Sequence, residues 1–220
     1  MDLLIFDLDG TLVDSRLDLA NSVNATRASM GMPPLANERV YSYVGNGAPV
    51  LIRRAMGEGA AEDVIRKALD FFLAHYRQHD LDNTVLYPGV RESLDRFRAA
   101  HKQMAVLSNK PVAMSRNILE GLGVAGHFFR IYGGNSFDTK KPDPAGVESL
   151  MAEAGVGRDR TLLVGDSSVD VLTARNARVR CCGVTYGFQP ETLADPAPDL
   201  LVSRMEELAD ILLGPSGETS

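Results

Sequence analysis

The sequence predicts an α/β protein, a doubly wound parallel sheet interrupted near its start by an inserted all-helical cap domain. Three observations predict it. From residue 83 onward, short apolar runs alternate with helical stretches, the pattern of βαβ units. Residues 14–82 carry helical spacing and no strand signal. The first run, Leu3-Leu4-Ile5-Phe6, is apolar throughout, as a strand covered on both faces must be. The expected division is a core of residues 1–13 and 83–220, with a cap of residues 14–82.

Each element has its own signal. After the first strand, Asp14 and Ser15 offer a helix start; Leu17, Ala20, Val23, Ala28 and Met30 follow at roughly helical spacing, and Gly31 with Pro33-Pro34 stops the run. Residues 38–44 and 48–56 read as two short helices. Residues 60–79 give the clearest one, because Ile65, Leu69, Phe72 and Tyr76 form a single apolar stripe suited to helix packing. At Tyr87-Pro88-Gly89 the pattern changes. Helices at 90–100, 112–122, 144–155 and 169–177 then alternate with strands at Met104–Leu107, Ile131–Gly133, Leu162–Val164 and Cys182–Thr185. Leu200-Leu201-Val202 and a helix at 204–213 close a Rossmann-like core, and the polar tail from Gly214 to Ser220 reads as disordered.

Composition narrows the function. The 220 residues are 45% hydrophobic, enough for one sizeable core and a smaller second unit. The net charge of −6, without any run of Lys or Arg, argues against nucleic acid or an anionic membrane as partner. Cys181 and Cys182 are adjacent, show no zinc spacing, and fit small residues on a buried strand in a reducing cytoplasm. No stretch is long and apolar enough to span a bilayer, and the N-terminus lacks the pattern of a secretory signal. Gly121-x-Gly123-x-x-Gly126 matches a dinucleotide fingerprint but ends a helix instead of following a strand, so that reading is rejected.

Chemistry gathers at the strand ends. Asp7 and Asp9, two residues apart at the carboxyl end of the first strand, face the same way, and two such anions call for a cation between them. Gly10 allows a sharp turn with no Cβ to obstruct a bound group. The second core strand ends in Ser108-Asn109-Lys110, whose hydroxyl and free N–H groups suit a phosphate. Lys141 precedes Pro142, and a stiffened backbone there holds the ammonium in one direction. Asp166, at the tip of the fourth core strand, and Asp170, one turn later, offer more carboxylates to the same cation. Alone, each feature is also an ordinary turn, helix cap or surface charge. Carboxylates, hydroxyl, lysine and carboxylates at successive strand ends make a far rarer set.

These four segments resemble the four motifs of the haloacid dehalogenase superfamily: Asp7-x-Asp9-Gly10-Thr11, Ser108-Asn109-Lys110, Lys141-Pro142 and Gly165-Asp166-x-x-x-Asp170. The helical insertion resembles that superfamily's cap. Tyr43-Val44-Gly45-Asn46-Gly47 with Leu51-Ile52-Arg53-Arg54-Ala55 is similar to the phosphoglycolate phosphatase branch. The resemblance implies a Mg²⁺-dependent phosphatase acting on a small phosphorylated metabolite through an aspartyl-phosphate. In that reading Asp7 is the nucleophile and Asp9 the acid and base. Gly10, Ser108, Asn109 and Lys141 bind phosphate. Mg²⁺ is held by Asp7, Asp166 and the Asp9 carbonyl, with Asp170 behind it. Asn46 or Arg54 in the cap would meet a substrate carboxylate. The second acid argues against a dehalogenase, whereas a phosphosugar mutase stays open, as does a non-enzymatic receiver-type phosphoacceptor switch. The chain departs from its relatives at Val169, where many have Asn, and at Ala177-Arg178, where many have Ala-Gly; a missing hydrogen-bonding group and a different helix end are the expected consequences.

Overall fold

The computed structural model describes residues 1–57 and 59–215; most of the tail expected to be disordered lies outside them. The chain opens with β1 (Leu3–Phe6) and a two-residue strand β2 (Val13–Asp14). The helices α1 (Arg16–Ser29), α2 (Asn37–Tyr41), α3 (Ala48–Met56) and α4 (Glu62–His79) follow, and then a second short strand, β3 (Val85–Leu86). From there strands and helices alternate: α5 (Val90–Ala99), β4 (Gln103–Leu107), α6 (Val112–Gly121), β5 (Arg130–Tyr132), α7 (Ala145–Ala154), β6 (Thr161–Gly165), α8 (Ser168–Ala177), β7 (Arg180–Val184), β8 (Leu200–Val202) and α9 (Met205–Leu213).

Among the described residues, six strands form one sheet in the order β5-β4-β1-β6-β7-β8, and every pairing is parallel. The apolar run of β1 sits at its centre. Leu4 and Phe6 enter the core on one face, Leu3 and Ile5 the core on the other, and all four are fully buried. Chain order turns from one side of β1 to the other between β5 and β6. Open α/β sheets bind ligands at the carboxyl ends of the strands flanking such a switch.

The four helices between β2 and β3 pack round an apolar cluster of their own, joined from the core by Met114. In the stripe expected on α4, Ile65, Phe72 and Tyr76 are buried. On α1, Ala20 and Val23 of the expected set are buried together with Leu19, whereas Leu17 is exposed. The sequence reading missed the β2–β3 ribbon, whose antiparallel pairing of Val13 with Leu86 and Asp14 with Val85 ties together the two chain crossings into the helical insertion. Two residues are too few to show a strand period. Asp18 of α1 reinforces this junction. Its buried carboxylate accepts hydrogen bonds from the backbone N–H groups of Asn83 and Thr84, at 2.9 and 2.8 Å, and from both their side chains. No helix among the described residues is long and apolar enough to cross a membrane.

Candidate active site

Sheet order brings the motifs together. Phe6 of β1 pairs with Val106 of β4 on one side and Val164 of β6 on the other, so Asp7, Ser108 and Asp166 emerge side by side at neighbouring strand ends. Asp7 extends the ladder by one more bond, its N–H donating to Val164 O at 2.9 Å. Lys141 arrives from the loop after β5. Asn109 holds it there by a reciprocal pair: Lys141 N–H donates to Asn109 Oδ1 (3.0 Å) and Asn109 Nδ2 donates to Lys141 O (3.1 Å).

Lys141 Nζ lies 2.9 Å from Asp7 Oδ1 and 2.6 Å from Asp170 Oδ1. The first is an ion contact without hydrogen-bond geometry, and Asp7 Oδ1 is a buried oxygen with no hydrogen-bond partner. Asp170 is fully engaged: Oδ1 by Lys141, and Oδ2 by the Ser167 hydroxyl (2.8 Å) and Ser167 N–H in a capping box at the start of α8. These partners orient Asp170 without help from position 169. Asp166 Oδ2 accepts from Phe188 N–H at 2.6 Å.

Ligand atoms of Asp7, Asp166 and Asp170 lie within 4.8 Å of one another, all three residues buried. Their electrostatics follow from that crowding. Burial pushes the Asp7 carboxyl up to about 6; Lys141 pulls it down, while Asp170 and Asp9 add repulsion. Asp166 is raised well above the ordinary carboxylate range, first by burial and then by the charges of Asp170 and Asp7. Burial works against the charge on Lys141, but Asp170 and Asp7 opposite it outweigh that and hold its pKa above the ordinary lysine value. One lysine does not balance three acids. A hard, oxygen-preferring divalent cation fits this donor set, and the unpartnered Asp7 oxygen offers it a ready ligand.

A cavity lies over these groups. Asp7, Asp9, Ser108, Lys110, Asp166 and Ser167 make its polar floor. Leu19, Leu51, Phe72 and Tyr76 of the helical insertion, with Met114 and Phe188 of the core, make an apolar roof over the acids. Asp9 reaches the cavity beside Asp7 and is held by Ser15 Oγ (2.5 Å) and by Lys110 Nζ, 2.9 Å from each of its oxygens.

Several candidates stand differently from the sequence reading. The N–H of Gly10 is spent on Val13 O (2.9 Å). What Gly10 supplies at its φ of +83° is space, since a Cβ would overlap the Asp166 carboxylate. The Asn109 side chain is also committed, to Lys141 and, through Nδ2, to Gly45 O of the helical insertion (3.0 Å). Asn46 lies between Gly45 and Gly47, which line the cavity, but is not itself in the lining. Arg54 is exposed and borders a separate groove with Arg27 and Arg39, donating to Tyr43 O at 3.3 Å. The cavity's cation is Lys110, which the sequence reading quoted within a motif without giving it a task. Gln189 was missed altogether: its Nε2 donates to Ser42 O (3.2 Å) and Val44 O (3.0 Å), across the cavity mouth. No short motif surrounds it, so only the tertiary contact reveals it. Arg178 closes α8 in the left-handed conformation, φ 58° and ψ 41°, so the helix ends as glycine would end it, with arginine bearing the strain.

Residues 4–184 match the model of a family described as haloacid dehalogenase-like hydrolase. A phosphoglycolate phosphatase of Vibrio parahaemolyticus is 37% identical over 217 residues, covering 96% of this chain and 95% of that protein. One of Pseudomonas putida is 41% identical over 214 residues, covering 94% and 78%. The crystal structure of a predicted phosphoglycolate phosphatase from Haemophilus somnus is similar with a TM-score of 0.90 at 33% identity, over 96% of each chain.

Proposed function

The chain belongs to the haloacid dehalogenase-like hydrolases and is a phosphatase; we propose that it hydrolyses a small phosphate monoester, 2-phosphoglycolate or a close analogue, through an aspartyl-phosphate and with Mg²⁺ bound. The observation that carries the reading is the Asp7 carboxylate. It faces the cavity with one buried oxygen free of hydrogen bonds, between a lysine and a second acid. Relatives named phosphoglycolate phosphatase along nearly the whole chain support the choice of ester.

Phosphate monoesters resist hydrolysis because an anion must attack an anion. Asp7, Asp166 and the Asp9 backbone would hold the Mg²⁺, with Asp170 behind them. A bound Mg²⁺ would offset charge on both the phosphoryl group and the attacking carboxylate. Asp7 attacks phosphorus, forming an O–P bond as the bond to the leaving oxygen breaks. Asp9 gives its proton to that oxygen and then takes one from the water that cleaves the acyl phosphate, returning Asp7 and inorganic phosphate. The Ser108 hydroxyl and Lys141 bind phosphoryl oxygens, Lys141 from a position set by Asn109 and Asp170. The roof excludes water other than the one consumed and leaves room for a short substrate. We place the boundaries of the two units where the β2–β3 ribbon lies, close to residues 14 and 82.

A phosphate-release screen over small esters, with Mg²⁺ and with a chelator, tests this. The highest kcat/KM is expected for 2-phosphoglycolate, with turnover abolished by chelation and restored by Mg²⁺. Equal rates on bulky esters would overturn the choice of substrate. A single stoichiometric phosphorylation without release would indicate a phosphoacceptor switch instead.

A further inference from the structure

Lys110 is buried, carries a positive charge and has no task in the chemistry above. Its ammonium is 2.9 Å from both Asp9 oxygens and 2.9 Å from the Tyr76 hydroxyl. Asp9 and Lys110 belong to the core, Asp9 just beyond β1 and Lys110 just beyond β4. Tyr76 comes from α4 of the helical insertion and is 1% exposed. An ammonium has three protons, and these contacts use them all. Asp9 is therefore held by a cation that is itself held from the opposite side of the cavity. The Lys110 ammonium also lies 4.6 Å from the Tyr76 ring centroid, so the ring attracts the charge as well as the hydroxyl does. Lys141 is anchored by core residues; among the described residues Asp9 is tied to the insertion twice, directly by Ser15 at the start of α1 and through Lys110 to Tyr76 of α4.

We propose that Lys110 and Tyr76 are positioning residues that align the Asp9 carboxyl with the leaving oxygen only when the helical insertion is closed over the substrate. This rests on the reading of Asp9 as acid and base. With α4 in place, Tyr76 fixes Lys110 and Lys110 fixes Asp9, so its proton can pass to the leaving oxygen as the P–O bond breaks. With α4 withdrawn, Lys110 loses one of its anchors and holds Asp9 less firmly beside Ser15. Esters whose leaving group departs as a poor alkoxide depend on that proton, and esters whose leaving group departs as a stable anion do not. The device rejects substrates too large for the roof to close over, without touching their phosphate. It also accounts for a tyrosine whose hydroxyl lies inside the apolar stripe of α4, where phenylalanine would pack as well.

The test compares kcat/KM for 2-phosphoglycolate, whose leaving alkoxide needs a proton, with kcat/KM for acetyl phosphate, a small acyl phosphate whose leaving acetate needs none. This parameter reports only steps up to cleavage of the ester, so later hydrolysis does not enter. In Tyr76→Phe the ratio of the two should fall at least tenfold, a part of the 10²–10⁴-fold typical of general acid catalysis. The fall should be in kcat for 2-phosphoglycolate, with KM within about twofold. Lys110→Met should lower the ratio further, and the milder Tyr76→Phe keeps the test informative if Lys110→Met folds poorly. Asp9→Asn supplies the reference. If Asp9→Asn lowers the ratio and Tyr76→Phe lowers both substrates equally, the positioning proposal is overturned and Asp9 stands. If Asp9→Asn leaves the ratio unchanged, the acid assignment itself falls.

Discussion

Asp7→Asn separates activity from stability in opposite directions. Burial raises the Asp7 carboxyl from an ordinary 3.8 to about 6. At about 1.36 kcal/mol per pH unit, that rise corresponds to about 3 kcal/mol of stability given up at neutral pH when the metal is absent. The folded value lies above the unfolded one. The carboxyl therefore costs nothing below about pH 4, and its full penalty is in force above about pH 6. Asparagine fills nearly the same volume without the charge. With a chelator present, Asp7→Asn should melt about 6–12 °C above the parent at pH 7, and the two should converge as pH falls toward 4. Phosphate release should drop at least about 10³-fold. The rise in melting temperature that Mg²⁺ gives the parent should shrink in the variant, because a ligand has gone. Scanning calorimetry with chelator and with Mg²⁺, at several pH values, reads all of this but the turnover. A variant no more stable than the parent at pH 7, or stabilised equally at pH 4, would refute the electrostatic reasoning; near-normal turnover would refute the nucleophile.

Two further substitutions probe the frame around the site. Asp18→Ala removes a buried acceptor and strands the donors of Asn83 and Thr84, so it should cost about 3 kcal/mol in urea unfolding; a loss under about 1 kcal/mol would mean the junction is held by other contacts. Arg178→Gly relieves a left-handed residue whose side chain is exposed and has no hydrogen-bond partner among the described residues. The relief of about 1 kcal/mol exceeds the extra freedom glycine gains in the unfolded chain, so the variant should be slightly more stable, by about 0.5 kcal/mol, with turnover unchanged. A loss of stability there would show that arginine is well accommodated at that helix end.

What was readable along the chain was readable for local reasons. The uniformly apolar Leu3–Phe6 run announces a strand covered on both faces, and each later strand ends where apolar residues give way to polar ones. Asp7, Ser108 and Asp166 were singled out because each falls at such an end, and Lys141 because Pro142 follows it. The stripe on α4 predicted which residues pack. It also concealed Tyr76, since periodicity records the apolar ring and says nothing of where the hydroxyl points. Arg54, a cap candidate taken from the resemblance, borders a different groove from the cavity over the acids. Asn109 and Gly10 were assigned to phosphate by motif; within the chain the Asn109 side chain is committed to Lys141 and Gly45, and the Gly10 N–H to Val13.

By itself, the amino-acid order determined the fold class, the place of the helical insertion and the identity of the acids, because all of these follow from patterns a few residues long. Only the tertiary structure decided which cation serves which acid: Lys141 lies against Asp7 and Asp170, Lys110 against Asp9. Strand order and loop geometry set those pairings to within an ångström, and Coulomb energies and hydrogen bonds depend on such distances, on which spacing along the chain is silent.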